Sequence, residues 1–168
     1  MTDEAGQVST NACEVKAPVR GGLPFFVGAY GGKERFVQEE PDYPGGRCAA
    51  LIGAEVGIQP RIAEHTEFEA AFGVKVNLRD SENTSVFGDV AVNRLLGKAF
   101  LGVGLSAWDL TESDTRSIAL LLQGGFDLTK DGKWQVVAQG RAPFSEMGDV
   151  ENSYMVWGGL RFRPSSAK

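Results

Sequence analysis

Residues 49–78 read AALIGAEVGIQPRIAEHTEFEAAFGVKVNL, and the alternation in this stretch decides the fold. In its first half Ala50, Ile52, Ala54, Val56, Ile58 and Ile62 fall on one face, against Leu51, Gly53, Glu55, Gly57, Gln59 and Arg61 on the other. In its second half Phe68, Ala70, Phe72, Val74, Val76 and Leu78 oppose Glu67, Glu69, Ala71, Gly73, Lys75 and Asn77. A period of two over this length means two long β-strands, each with one apolar face and one polar or small face.

The pattern repeats along the chain. Eight runs have strand character, at 25–36, 48–61, 67–78, 85–95, 99–109, 117–128, 134–144 and 153–163. Val86, Val90 and Val92 oppose Phe87, Asp89, Ala91 and Asn93; Leu101, Val103 and Leu105 oppose Phe100, Gly102, Gly104 and Trp108. Later runs follow suit, with Val137, Met155 and Trp157 as apolar residues on otherwise polar faces. The connections alternate too. The first (37–47, with QEEPDYPGG), third, fifth and seventh are polar and rich in acids, whereas the others are tighter. Asp131-Gly132 signals a two-residue hairpin turn. Hairpins in succession without a helix predict an all-β protein, an eight-stranded antiparallel up-and-down barrel, because closure removes the exposed edges. The domain plan is a polar tail over 1–24, a barrel over 25–163 and a short tail over 164–168.

Composition narrows the function. No apolar run approaches the ~20 residues of a spanning helix. A net charge of −5 with no basic stripe argues against nucleic acid. Residues 1–20 have neither a basic n-region nor an apolar h-region, which leaves two readings: a cytosolic protein, or an exported one whose signal has been removed.

Which face points inward separates a soluble barrel from a membrane barrel. The polar face is Gly-rich and carries Glu55, Arg61, Glu69, Lys75, Asp89, Asp127, Arg141 and Arg161, charges of both signs that suit a crowded polar lumen better than a soluble exterior. Several runs have the ~9–11 residues that cross a bilayer at a tilt. Trp134, Phe144, Tyr154 and Phe162 bracket the apolar rows as interfacial girdles do. The expectation is a transmembrane barrel, exported, with its charged set forming a lumen network that holds it rigid. The alternative is a soluble exported barrel holding an apolar ligand among Ile52, Val56, Phe72 and Leu120.

In this pattern the chain resembles the small eight-stranded outer-membrane barrels of Gram-negative bacteria, of the OmpA and OmpX type. The segments LIGAEVGIQPRI (51–62), FLGVGLSAWDL (100–110) and MVWGGLRFR (155–163) carry the resemblance. The family's usual terminal aromatic is displaced here, since Phe162 is followed by RPSSAK at 163–168. The resemblance implies the bacterial outer membrane, a porin-like cell-envelope barrel in contact with its lipid, and one of several roles: anchor, adhesion or immune-evasion surface, small-solute pore, or lipid-modifying enzyme.

Candidate chemistry is sparse. His65 lies in a turn beside Glu64 and Glu67, and Thr66 points away from it, so neither a hydrolase nor a metal site is predicted. No cofactor is expected. Gly102-Val103-Gly104 lies within a strand, which fails the context of a phosphate loop, and Asn83-Thr84-Ser85 is only a formal glycosylation sequon. The first connection, with Pro41, Tyr43 and Pro44, is the candidate binding loop, because prolines reduce the entropy lost on binding. Through such acidic loops an extracellular protein or surface ligand is the expected partner. Cys13 and Cys48 are expected to stay unbonded to each other: in the membrane topology they sit on opposite rims, separated by a band ~25 Å tall.

Overall fold

The structure is a computed structural model, and it describes residues 25–36, 47–78, 84–108, 110, 117–144 and 154–164. The strands are β1 (Phe25–Phe36), β2 (Arg47–Ile58), β3 (Arg61–Ala63), β4 (Thr66–Asn77), β5 (Thr84–Leu96), β6 (Ala99–Trp108), β7 (Ser117–Asp127), β8 (Trp134–Pro143) and β9 (Tyr154–Phe162). Both β2 and the short β3 pair with β4, so β3 extends β2 beyond a break at Gln59-Pro60. Each long strand pairs antiparallel with its neighbour in sequence, and β1 pairs with β9, which closes a ring of eight long strands.

The register fixes the tilt. From Phe25 the cross-strand partners run through Ile58, Ala70, Val90, Leu105 and Leu120 to Ala142. The next rung beyond Arg141–Met155 leads to Tyr154, which pairs with Arg35. One circuit therefore climbs from position 25 to position 35 on β1. That stagger over eight strands tilts them by about 40°, and each residue then rises ~2.5 Å along the barrel axis. Strands of nine to thirteen residues stand roughly 22–32 Å tall at that tilt, which matches an apolar membrane band.

The alternation read from the sequence is physical. On β4 the inward residues Glu67, Glu69, Ala71, Gly73 and Lys75 alternate with outward Phe68, Ala70, Phe72, Val74 and Val76. Inside, Arg161 and Glu69 are both 0% exposed; outside, Leu101 is 61% and Phe72 54% exposed. The protein is thus inverted relative to a soluble barrel. Ile52, Val56 and Phe72 stand on the outer surface and Leu120 is half-buried on it, so these residues enclose no interior apolar ligand site of the kind the soluble alternative needs. The interior apolar side chains, among them Phe26, Tyr30, Phe87, Phe100, Trp108 and Trp157, are packed among polar ones.

The three tight connections lie at one end. Between β5 and β6, only Gly97 and Lys98 separate the Leu96–Ala99 pair, with Gly97 at φ 68°. The β7–β8 connection corrects the expectation from sequence. The Gly132 amide donates to the Thr129 carbonyl at 3.0 Å, which centres the turn on Lys130 and Asp131 and places Gly132 after it at φ 67°. The loop is therefore longer than a two-residue hairpin, because the ladder stops at the Leu128–Trp134 bond.

Candidate functional site: the lumen network

Inward parity delivers polar side chains from every long strand into a space just wide enough to be filled by them. At its centre is Arg161 of β9. Its guanidinium forks onto the Glu69 carboxylate, with Nη1 and Nη2 at 2.9 and 2.7 Å, and reaches Glu55 of β2 through Nε at 2.8 Å. Nε also points to the Tyr30 hydroxyl at 2.6 Å, and that hydroxyl donates to Glu55. Phe26 lies under the guanidinium, 4.3 Å from ring centre to carbon. Two carboxylates against one fully buried arginine form a charge-assisted set that neither partner could leave without stranding the other.

Amides carry this cluster across the barrel. Asn93 and Gln123 each donate to Glu69 at 2.9 Å, Gln123 donates to Asn93 at 2.8 Å, and Gln139 donates to Gln123 at 2.9 Å. Gln139 then accepts from Arg141 at 3.1 Å and from the Trp157 indole. Arg141 pairs with Asp89 and donates to Ser106 at 3.0 Å. One connected hydrogen-bond network therefore touches all eight long strands. Arg141 also lies against two rings, 4.4 Å from Trp157 and 5.1 Å from Phe87, while Tyr30 stacks on Trp157 at 5.1 Å.

Smaller clusters sit above and below. Toward the end opposite the tight turns, Lys75 pairs with Glu34 at 2.9 Å and lies 5.1 Å from the Trp108 ring. At the turn end Arg163 pairs with Asp127 at 2.6 Å and donates to the Gly132 carbonyl at 3.0 Å. In the turn itself the Asp131 carboxyl is held below the usual carboxylate range, first by the Thr129 hydroxyl and then by the Lys133 amide.

Of the charged residues singled out in sequence, the structure brings Glu55, Glu69, Asp89, Arg141 and Arg161 into the central network, and places Lys75 and Asp127 in the flanking clusters. Arg61 is a correction. It lies on β3, where all three residues are exposed. The break at Gln59-Pro60 and a register shift between Arg61 and Ala63 interrupt the parity that the sequence pattern carries through. Pro41, Tyr43 and Pro44 lie outside the described residues, as does Cys13; Cys48 is exposed on β2. His65 sits in its turn, 3.6 Å from Glu64.

The charged set singled out in sequence leaves out Glu34 of β1 and the uncharged Tyr30, Asn93, Ser106, Gln123 and Gln139. Parity would have found them, since each occupies an inward position on its strand. Among the described residues no group of three His, Cys, Asp or Glu side chains is placed to hold a metal ion.

A closed antiparallel β-barrel with ionised groups inside and an apolar exterior is the class this geometry defines. No family model and no curated protein matches the chain. Among solved structures, the crystal structure of Neisserial surface protein A (NspA) is similar, with 16% sequence identity and a TM-score of 0.49; the match covers 84% of this chain and 97% of that one.

Proposed function

We propose that the chain is a small integral outer-membrane barrel that anchors and presents the segments joining its strands at the rim opposite the tight turns, with a lumen sealed by its own side chains. The inversion of the two faces carries this reading. Burying Arg161, Arg141, Glu55, Glu69 and Asp89 while leaving Val90, Val103, Leu105 and Val156 exposed is costly in water and favourable in a bilayer. The tilt and height fit a membrane span, and Trp134 packs against Phe162 at 5.0 Å on the turn-side rim, where interfacial aromatics belong.

A structural or surface-interaction role fits the lumen better than a pore does. The hydrogen-bonded crossing from Glu55 to Ser106, with Tyr30 stacked on Trp157 and Phe87 edge-on to it, leaves the centre filled. Placement with the OmpA and OmpX type rests on the strand pattern, and an extracellular protein or surface ligand, met through the acidic connections, is the proposed partner.

Refolding tests the reading. In detergent micelles the chain should migrate faster unheated than boiled on a gel, and spin labels at positions 90 and 101 should be reached by lipid-soluble quenchers. A folded, monodisperse protein in detergent-free buffer would overturn it.

A further inference from the structure

The chain is acidic as a whole, with a net charge of −5, yet its tight-turn rim is basic. Arg61 on β3, Arg94 near the end of β5, Lys98 in the β5–β6 turn and Lys130 in the β7–β8 turn are all exposed. Among the described residues none of these four is held in an ion pair. The exposed acids of this rim are Glu64 and Asp131. Asp131 lies 3.4 Å from Lys133, and Glu64 lies 3.6 Å from His65. Unpaired positive charge therefore collects at one end of an otherwise negative chain.

The cations are interleaved with large apolar side chains that are also exposed: Ile62 beside Arg61, Leu96 between Arg94 and Lys98, and Leu128 two residues before Lys130. Trp134, packed on Phe162, continues the series. Arg94 separates two kinds of partner. It stands on the outward row of β5, between Val92 and Leu96, which are both exposed on the same face. A soluble protein docking end-on would meet the turns, whereas Arg94 points sideways from an apolar row. An arginine so placed lays its stem along apolar surface and carries its guanidinium to the headgroup level, where a phosphate matches its fork. Cations alternating with apolar groups at one level suit a surface that is anionic on its face and apolar beneath.

We propose that the tight-turn rim is a collar for anionic phospholipid, in which Arg61, Arg94, Lys98 and Lys130 take the headgroups of the surrounding leaflet and the apolar side chains between them enter the first acyl carbons. In membrane barrels short turns face the periplasm, so the leaflet is the periplasmic one. The collar selects by charge: one basic residue at a membrane surface is worth about fivefold in affinity for an anionic lipid. It also fixes the depth of the barrel, because the cations stop at the headgroups while the apolar rows continue inward. The inference rests on the reading of the chain as an outer-membrane barrel.

Tryptophan fluorescence tests it. Of the chain's three tryptophans, Trp108 and Trp157 are buried in the lumen and Trp134 stands on the collar. In phosphatidylcholine vesicles doped with brominated phosphatidylglycerol or brominated phosphatidylcholine, Trp134 should be quenched with about a fivefold preference for the anionic lipid. That preference should fall toward unity in 1 M salt. Lys130→Gln should remove most of it, whereas Lys33→Gln on β1, toward the opposite rim, should leave it unchanged. Leu96→Trp in a Trp134→Phe background moves the reporter to the β5–β6 turn, where Arg94→Gln should have the same effect. All these side chains lie outside the lumen network, and heat-modifiable migration confirms that each variant folds. Equal quenching by the two lipids, a preference that survives salt or Lys130→Gln, or an equal loss in Lys33→Gln would overturn the collar. Those outcomes leave the membrane reading standing, whereas a Trp134 that neither brominated lipid quenches would remove both.

Discussion

Gly31 and Gly32 are neighbours in sequence and opposites in consequence. Both lie on β1 and both pair with β9, Gly31 with Gly158 and Gly32 with Trp157. Gly31 faces outward, where a Cβ would touch a single backbone oxygen at van der Waals distance. Gly32 faces the lumen, where a Cβ would overlap the Trp157 backbone and Cβ and the Val156 carbonyl. A related pairing recurs inside: Gly57 opposite Phe26, Gly73 opposite Phe87, Gly125 opposite Phe100 and Gly159 opposite Tyr30. In each case the ring covers the glycine and occupies the volume it leaves. Glycine on the inner face is thus half of a large–small pair that lets a narrow barrel close around aromatic rings. Glycine on the outer flank fills no such role and is free to shape the surface.

The largest effect should come from breaking that distinction directly. Gly32→Leu should abolish the compact barrel, because the obstacle is backbone and Cβ rather than a flexible side-chain end; Gly31→Leu should refold as wild type does. Heat-modifiable migration after refolding reads both. If Gly32→Leu refolded equally well, the two faces would have been assigned the wrong way round.

Next comes the charge cluster. Arg161→Met removes the one cation that, among the described residues, bonds to both Glu55 and Glu69. It should cost about 3–5 kcal/mol in the urea-unfolding free energy from lipid vesicles. A smaller loss would mean that the two carboxylates are relieved by water or by protons. On the outer face at mid-height, Val90→Arg should cost about 2–4 kcal/mol by the same measurement, with Val90→Leu near neutral. If Val90→Arg were also neutral, the outer face would not meet hydrocarbon.

These contrasts separate what the chain announces from what only its closure creates. Eight long strands, their limits to within a few residues and the polar-against-apolar faces follow from period-two alternation, because a sheet with two different surroundings writes its register into every second residue. Which face lies inside was arguable from β6. There Gly102 and Gly104 share a face with Phe100 and Trp108, while Val103 between them points the other way and is 52% exposed. Small residues beside rings suit a crowded lumen and would be wasted on a soluble exterior. Parity failed at Arg61, where a proline break and a register shift reset the face. The network's amides and hydroxyls were not legible as a site, because Asn93, Gln123, Gln139 and Ser106 acquire partners only when strands distant in sequence close into a ring.

The smallest expected effect belongs to the turn side, outside both faces. Asp131 is exposed, and its carboxylate accepts from the Lys133 amide at 3.2 Å, with its acidity raised chiefly by the Thr129 hydroxyl. A carboxyl whose folded value lies below its unfolded one stabilises the fold above the unfolded value, about 4 for an aspartate. That contribution is lost as pH falls through the folded value. Acidification below about pH 4 should therefore loosen the β7–β8 turn. Amide hydrogen exchange at Gly132 and Lys133 should quicken there more than exchange in mid-strand, after correction for the intrinsic effect of pH. Asp131→Asn should remove most of this pH dependence. If exchange in mid-strand rose in step with the turn, acid would be acting on the lumen network rather than on Asp131, and the separation between the rim and the sealed interior would fail.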